Sequence, residues 1–177
     1  MGEAELITFP RIKDTRGNLS FLEFDSHIPF EIARTYWIYD VPGGESRGGH
    51  AYHTLSEVVI ALSGSFEVIV DSGREKKRFT LNRSYYGLLV PRLLWRQIEN
   101  FSTNSLCLIA ASHPYDEGDY IRDYQIFKRT RARGPLRPEP LGRLRGALRP
   151  PPRDRAGRRP RRPARVRRRR DGDRGVR

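Results

Sequence analysis

The chain has 177 residues, a single cysteine and a net charge of +13, a length suited to one domain. The charge is unevenly placed: residues 130–177 hold 19 Arg, no Lys and four acids, a net of +15, whereas residues 1–129 hold 15 basic and 17 acidic side chains, a net of −2. The high overall charge therefore gives no support to a nucleic-acid role for the domain, and the absence of any run of 18 apolar residues leaves no membrane-spanning helix to propose.

At the start, Met1-Gly2-Glu3-Ala4-Glu5 is acidic and lacks the basic-then-apolar pattern of a signal peptide. Short apolar runs broken by turn residues follow. They predict strands at Ser20–Phe24, Thr35–Tyr39, Val58–Leu62, Ser65–Val70, Lys77–Leu81, Tyr86–Val90, Arg96–Glu99 and Ser105–Ala111. Val41-Pro42-Gly43-Gly44, Ser63-Gly64-Ser65 and Asp71-Ser72-Gly73 supply turns between them. Within Ser65–Val70 the alternation puts Phe66, Val68 and Val70 on one face. Cys107, inside Leu106-Cys107-Leu108-Ile109, has no partner for an internal disulfide and reads as a small buried hydrophobe. A reducing, cytoplasmic setting is the expectation. Asp116–Arg129 is predicted to form one short helix with Tyr120, Tyr124 and Phe127 on one side. So many short strands in about 110 residues point to a sandwich or barrel rather than a parallel α/β sheet.

Residues 130–177 contain no aromatic residue and eight of the 13 prolines. Such a composition buries too little apolar surface to offset the entropy of ordering, so disorder is expected from residue 130 onward. Three readings stand: a non-native extension of a GC-rich gene, a solvated tail, or an arginine arm for anionic surfaces. The lack of Lys and of stacking aromatics argues against a nucleic-acid arm. The organisation expected is thus a domain at 1–129 and a disordered tail at 130–177.

One segment carries a far more specific pattern. Gly44, then five residues, His50, one residue, Tyr52, four residues, Glu57, six residues and Gly64 fit the first cupin motif at every spacing, with Tyr52 where its second His belongs. Pro91-Arg92-Leu93-Leu94-Trp95-Arg96 and then Asn100 resemble the second motif, with Leu93 in place of a Gly and Arg96 in place of a His. The order and separation of the two motifs suit a cupin jelly roll. Of the four metal-ligand slots of metal-binding cupins, this chain fills two, His50 and Glu57. The phenol of Tyr52 and the permanent cation of Arg96 do not suit a divalent ion. No metal and no cofactor are expected. His53, one residue along, points to the opposite face of an extended strand and does not replace a ligand.

The resemblance extends over residues 6–127. The landmarks are Asp14-Thr15-Arg16-Gly17-Asn18-Leu19, Ile28-Pro29-Phe30, Arg34-Thr35-Tyr36-Trp37-Ile38-Tyr39-Asp40, Arg47-Gly48-Gly49-His50-Ala51, Leu62-Ser63-Gly64-Ser65-Phe66 and Asp116-Glu117-Gly118-Asp119-Tyr120-Ile121-Arg122-Asp123-Tyr124. In these the chain resembles the WxcM-like (FdtA-like) cupin family of sugar-nucleotide 3,4-ketoisomerases, which act on dTDP-4-keto-6-deoxyglucose. Members with that reaction read His-Ala-His where this chain reads His50-Ala51-Tyr52. The resemblance implies an all-β jelly-roll barrel, a dTDP-linked keto-sugar as substrate, and a homodimer. It also implies proton transfer from C3 to C4 through an enediolate, in deoxy-sugar or amino-sugar biosynthesis. His50 is the expected acid/base, and Tyr52 the expected proton donor, its pKa lowered by a nearby guanidinium. Arg16 and Arg96 are expected in the sugar pocket and Arg47 at the diphosphate. Tyr36 is expected to line the sugar site, Glu57 to orient His50, and Trp95 to stack on a base or pack. Two other readings are kept: a 3,5-epimerase of the same substrate class, and a non-catalytic sugar-nucleotide-binding cupin.

Overall fold

The computed structural model describes residues 2–133. Twelve strands are found there: β1 (Glu5–Thr8), β2 (Arg11–Asp14), β3 (Gly17–Ser20), β4 (Arg34–Ile38), β5 (Arg47–Tyr52), β6 (Glu57–Ser63), β7 (Phe66–Asp71), β8 (Lys76–Leu81), β9 (Tyr86–Val90), β10 (Trp95–Glu99), β11 (Leu106–Ala111) and β12 (Tyr120–Ile121). A 3₁₀ turn at Glu117–Asp119 precedes β12, and one α-helix, α1 (Tyr124–Arg133), follows it. Two five-stranded antiparallel sheets, in the orders β1-β9-β6-β11-β4 and β12-β5-β10-β7-β8, pack as a jelly-roll barrel, with β2-β3 as a separate hairpin. The all-β expectation holds.

The core between the sheets follows from alternation. Phe66, Val68 and Val70 on β7 are buried and meet Val59, Ala61, Leu88, Val90, Cys107 and Ile109 from the facing sheet. Cys107 is an inert packing group there, its thiol pushed up to about 12 by burial. β6 is buried on both faces over Glu57–Ala61 because Phe9, Ile28 and Leu89 cover Val58 and Ile60 from outside. This double burial explains its continuous apolar reading. At the β6–β7 turn Gly64 adopts φ +65°, and a Cβ there would lie 2.5 Å from Ser102 Oγ. Only glycine fits that turn.

Two expectations need correction. The predicted strand at Ser20–Phe24 is replaced by the earlier hairpin β2–β3, followed by a lone bridge from Phe24 to Ile28. The Asp14 carboxylate accepts from the Arg16 amide at 2.8 Å, which closes the turn at that point and ends the pairing at Ser20. The predicted helix at Asp116–Arg129 begins only at Tyr124. Asp119 accepts from the amides of Thr54 and Leu55, and Ile121 is buried against Ala51, so Tyr120–Ile121 pairs with β5 instead. Tertiary pairing here overrides a weak helical period. Asp123 then caps α1, accepting from the Ile126 amide at 2.8 Å. The helix runs to Arg133, four residues past the expected boundary, and the rest of the tail lies outside the described residues.

Candidate active site

The site lies at one end of the barrel and is organised by β5. Its pairing with β10 slips between Arg96 and Gln97, so that Gly49 is an extra residue opposite the ladder. Gly48 and Gly49, at φ +93° and +67°, make this bulge, which sets the direction of the strand that follows. Beyond it the two-residue period puts His50 and Tyr52 inward and Ala51 outward against Ile121 and Phe127. Gly48 has a second reason to be glycine: a Cβ there would lie 2.5 Å from Arg96 Nη1.

Arg96 and Glu57 form a buried ion pair at the floor. Arg96 Nε donates to Glu57 Oε1 at 2.5 Å and Nη2 donates to Oε2 at 3.1 Å, with neither residue more than 2% exposed. Burial alone would raise the Glu57 carboxyl; the Arg96 charge and its hydrogen bonds outweigh that and hold it below the ordinary carboxylate range. Tyr36 completes the cluster. Its hydroxyl donates to Glu57 Oε2 at 3.1 Å, accepts from Arg96 Nη2 at 3.1 Å, and lies 3.4 Å from the Tyr52 hydroxyl.

Above this floor stands His50, 7% exposed, with neither ring nitrogen bonded to any described residue. Its ring centroid lies 4.8 Å from that of Tyr52 and 4.9 Å from that of Tyr120. Burial, helped by the Arg96 charge, pulls its pKa down to about 4, against the opposing pull of Glu57 and of the Gly48 carbonyl, which lies near the ring without making a hydrogen bond of normal geometry. At neutral pH it is a neutral imidazole with a free lone pair. Tyr52 goes the other way from expectation. Burial raises its pKa well above the normal phenol range, the Glu57 charge adds to this, and Arg96 opposes without winning. Its hydroxyl therefore stays protonated and serves as a donor, not a base.

The structure thus gathers His50, Tyr52, Tyr36, Glu57 and Arg96. It corrects one expected role and narrows two. Glu57 does not orient His50, because Arg96 and Tyr36 take its oxygens. Arg96 lies in the pocket as expected, on its floor, with Nε and Nη2 on that carboxylate. Trp95 sits on the outer face, its ring 5.2 Å from Tyr124 and 5.7 Å from Phe127, and packs under α1. Two further arginines are not brought in within this chain. Arg16 is exposed on the β2–β3 turn and paired with Asp14 at 2.8 Å, and Arg47 is exposed at the start of β5. Conversely, Tyr120, which pairs across β12–β5 with Tyr52, lines the site although it was expected on a helix. Arg34, two residues before Tyr36 on the inward face of β4, was also missed; strand alternation alone would have found it.

The residues do not fit a divalent metal ion. Both Glu57 oxygens are held by Arg96, Tyr52 keeps its proton, and no group of three His, Cys, Asp or Glu converges among the described residues.

A TDP-4-oxo-6-deoxy-alpha-D-glucose-3,4-oxoisomerase of Aneurinibacillus thermoaerophilus is 40% identical over 137 residues, covering 77% of this chain and 99% of that protein. A solved 3,4-ketoisomerase from Helicobacter canadensis superposes with a TM-score of 0.71 at 40% identity, covering 73% of this chain and 98% of the other. The sugar 3,4-ketoisomerase QdtA of Thermoanaerobacterium thermosaccharolyticum, solved with TDP, gives 0.72 at 35% identity over 75% and 97% of the two chains. A dTDP-4-dehydrorhamnose 3,5-epimerase of Bacillus anthracis, at 13% identity and a TM-score of 0.59 over 67% of this chain and 77% of the other, shares the fold alone. The model of the family described as WxcM-like, C-terminal, matches residues 2–132, and the chain belongs to that family.

Proposed function

We propose that the protein is a sugar-nucleotide 3,4-ketoisomerase that converts a TDP-linked 4-keto-6-deoxy-hexose to its 3-keto isomer, in deoxy- or amino-sugar biosynthesis. The observation that carries the reading is the buried neutral imidazole of His50, unbonded on both nitrogens and bracketed by two phenols. Buried polar groups are normally satisfied, so a ring left open in this way is poised for a substrate. The 40% identity to the Aneurinibacillus oxoisomerase supports the choice of reaction.

His50 takes the proton from C3. The C–H electron pair forms the C3–C4 double bond, and the carbonyl pair moves to O4. Tyr52, held protonated, donates a hydrogen bond to the developing oxyanion. The hydroxyl proton of O3 passes to O4, the C3 carbonyl forms, and C4 receives the proton carried by His50. The same imidazole thus acts as base and then acid. The Glu57–Arg96 pair and Tyr36 fix Tyr52 from below; they are positioning residues, not reacting ones.

A homodimer is part of the proposal. Ile12, Leu19, Phe21 and Phe24, on and just after the β2–β3 hairpin, are 38–55% exposed in the single chain. A second copy covering that face would remove them from water. It would also change the surroundings of Arg16. The lone buried Cys107 supports the cytoplasmic setting. Among the described residues no helix is long and apolar enough to cross a membrane.

Incubation with TDP-4-keto-6-deoxyglucose in D₂O, followed by NMR, tests the reading. Migration of the ketone from C4 to C3 is the expected result. Deuterium at C3 and C5 without migration would make it a 3,5-epimerase, and binding without exchange a non-catalytic cupin.

A further inference from the structure

Among the buried side-chain polar atoms of the described residues, only those of Arg34 and His50 lack a hydrogen-bond partner. Arg34 opens β4, half-buried, with Tyr36 two residues along on the same inward face. Its Nε and Nη2 atoms are buried and have no hydrogen-bond partner among the described residues. These two atoms form the fork edge that grips a carboxylate or phosphate with two parallel bonds. No described carboxylate forms an ion pair with it, whereas Arg16, Arg78, Arg96 and Arg122 each have one. Its guanidinium carbon lies 5.0 Å from the Tyr36 ring centroid and 5.5 Å from that of Tyr115, so two aromatic faces hold it in place. An unpaired buried guanidinium is costly, and aromatic faces offset only part of that cost.

Resting on the ketoisomerase reading, we propose that Arg34 grips the diphosphate of the bound sugar nucleotide. The choice of the diphosphate rests on the unpaired Nε–Nη2 edge, which takes an anion with two parallel bonds, whereas the ketone is neutral in the ground state. By register Arg34 stands in line with Glu57 through Ala111, one alternation from Tyr36. In this assignment the sugar ring lies against the contacting His50 and Tyr52 rings, and its anionic substituent reaches Arg34. Arg47 and Arg16, exposed and outside this wall, are not needed for that contact within one chain.

The test is calorimetric binding of TDP and of TMP to the full chain and to Arg34→Met and Arg34→Lys, with circular dichroism as the check on folding. Wild type is expected to prefer TDP. Arg34→Met is expected to weaken TDP by about 10- to 100-fold, the loss typical of a charged hydrogen-bonding partner, and to shrink the TDP-over-TMP preference. KM for the TDP-keto-sugar should rise more than kcat falls. Arg34→Lys should retain part of the preference, and it serves alone should Arg34→Met fail to fold. TDP affinity unchanged in the folded variants would overturn the assignment and leave the ketoisomerase reading standing. Unchanged TDP affinity with a large fall in kcat would do the same and place Arg34 at the enediolate. Failure of wild type to bind TDP at all would sink both.

Discussion

His50 sits where two forces oppose each other, and the magnitudes decide its charge. Glu57 favours an imidazolium; burial and Arg96 favour the neutral ring and win, setting the pKa at about 4. The consequence for stability has a definite sign. An unfolded chain holds this histidine near 6.5, so between pH 6.5 and pH 4 the unfolded state binds the extra proton. Stability is full above pH 6.5 and falls as the pH drops through that window, by about 3 kcal/mol in all. Denaturant unfolding of wild type and His50→Asn at pH 7 and pH 4.5 checks this. The variant should lose less stability than wild type on acidification; equal losses would mean that His50 titrates normally. The same shift places the acid limb of kcat/KM near pH 4 rather than 6.5. Tyr52 shows the limit of residue-by-residue reading. A neighbouring guanidinium was expected to depress its pKa, but Arg96 is already neutralised by Glu57, and burial prevails.

β5 is the element that makes the site, and its two glycines do different work. A Cβ on Gly48 would meet Arg96 Nη1 at 2.5 Å, whereas a Cβ on Gly49 would meet nothing within 4 Å. Both have positive φ. Gly49→Ala should therefore cost only backbone strain, about 1–2 kcal/mol. Gly48→Ala adds displacement of a buried ion pair and should cost about 3–5 kcal/mol in total. Thermal unfolding of the two variants checks the order, and a larger loss for Gly49→Ala would contradict it. Most strands were legible because their alternation and turn residues agree, as Phe66, Val68 and Val70 show between the Gly64 turn and the Asp71–Gly73 turn. The spacing of His50, Tyr52 and Glu57 anticipated that these three side chains come together in one cluster. The β2–β3 hairpin and β12 were not legible. Neither buries a regular stripe, and β12 exists because Asp119 and Ile121 engage residues more than 60 positions away in the chain. Tyr120 was lost to the site reading for that reason. Leu93 is another instance. It holds φ +59° where the motif has glycine, and it keeps that strained backbone while buried against Ala51, Ile121 and Phe127.

At the scale of the whole molecule, the barrel divides its labour along its axis. Apolar side chains fill one end and the polar cluster occupies the other, where β4, β5, β6, β10 and β12 all deliver side chains. The exposed apolar residues of the β2–β3 hairpin make the second copy part of the account. Light scattering coupled to size exclusion should give twice the 20.5 kDa chain mass, and a monomer at micromolar concentration would remove the dimer from it. The central claim, that His50 moves the proton, has a more direct test. Deuterium exchange at C3 of TDP-4-keto-6-deoxyglucose is followed in D₂O with wild type, His50→Asn and Tyr52→Phe, each first shown to bind TDP. His50→Asn should slow exchange by about 10²–10⁴-fold, and Tyr52→Phe should slow it less while still exchanging. Exchange by His50→Asn at the wild-type rate, with TDP affinity intact, would contradict the assignment of His50 as the base.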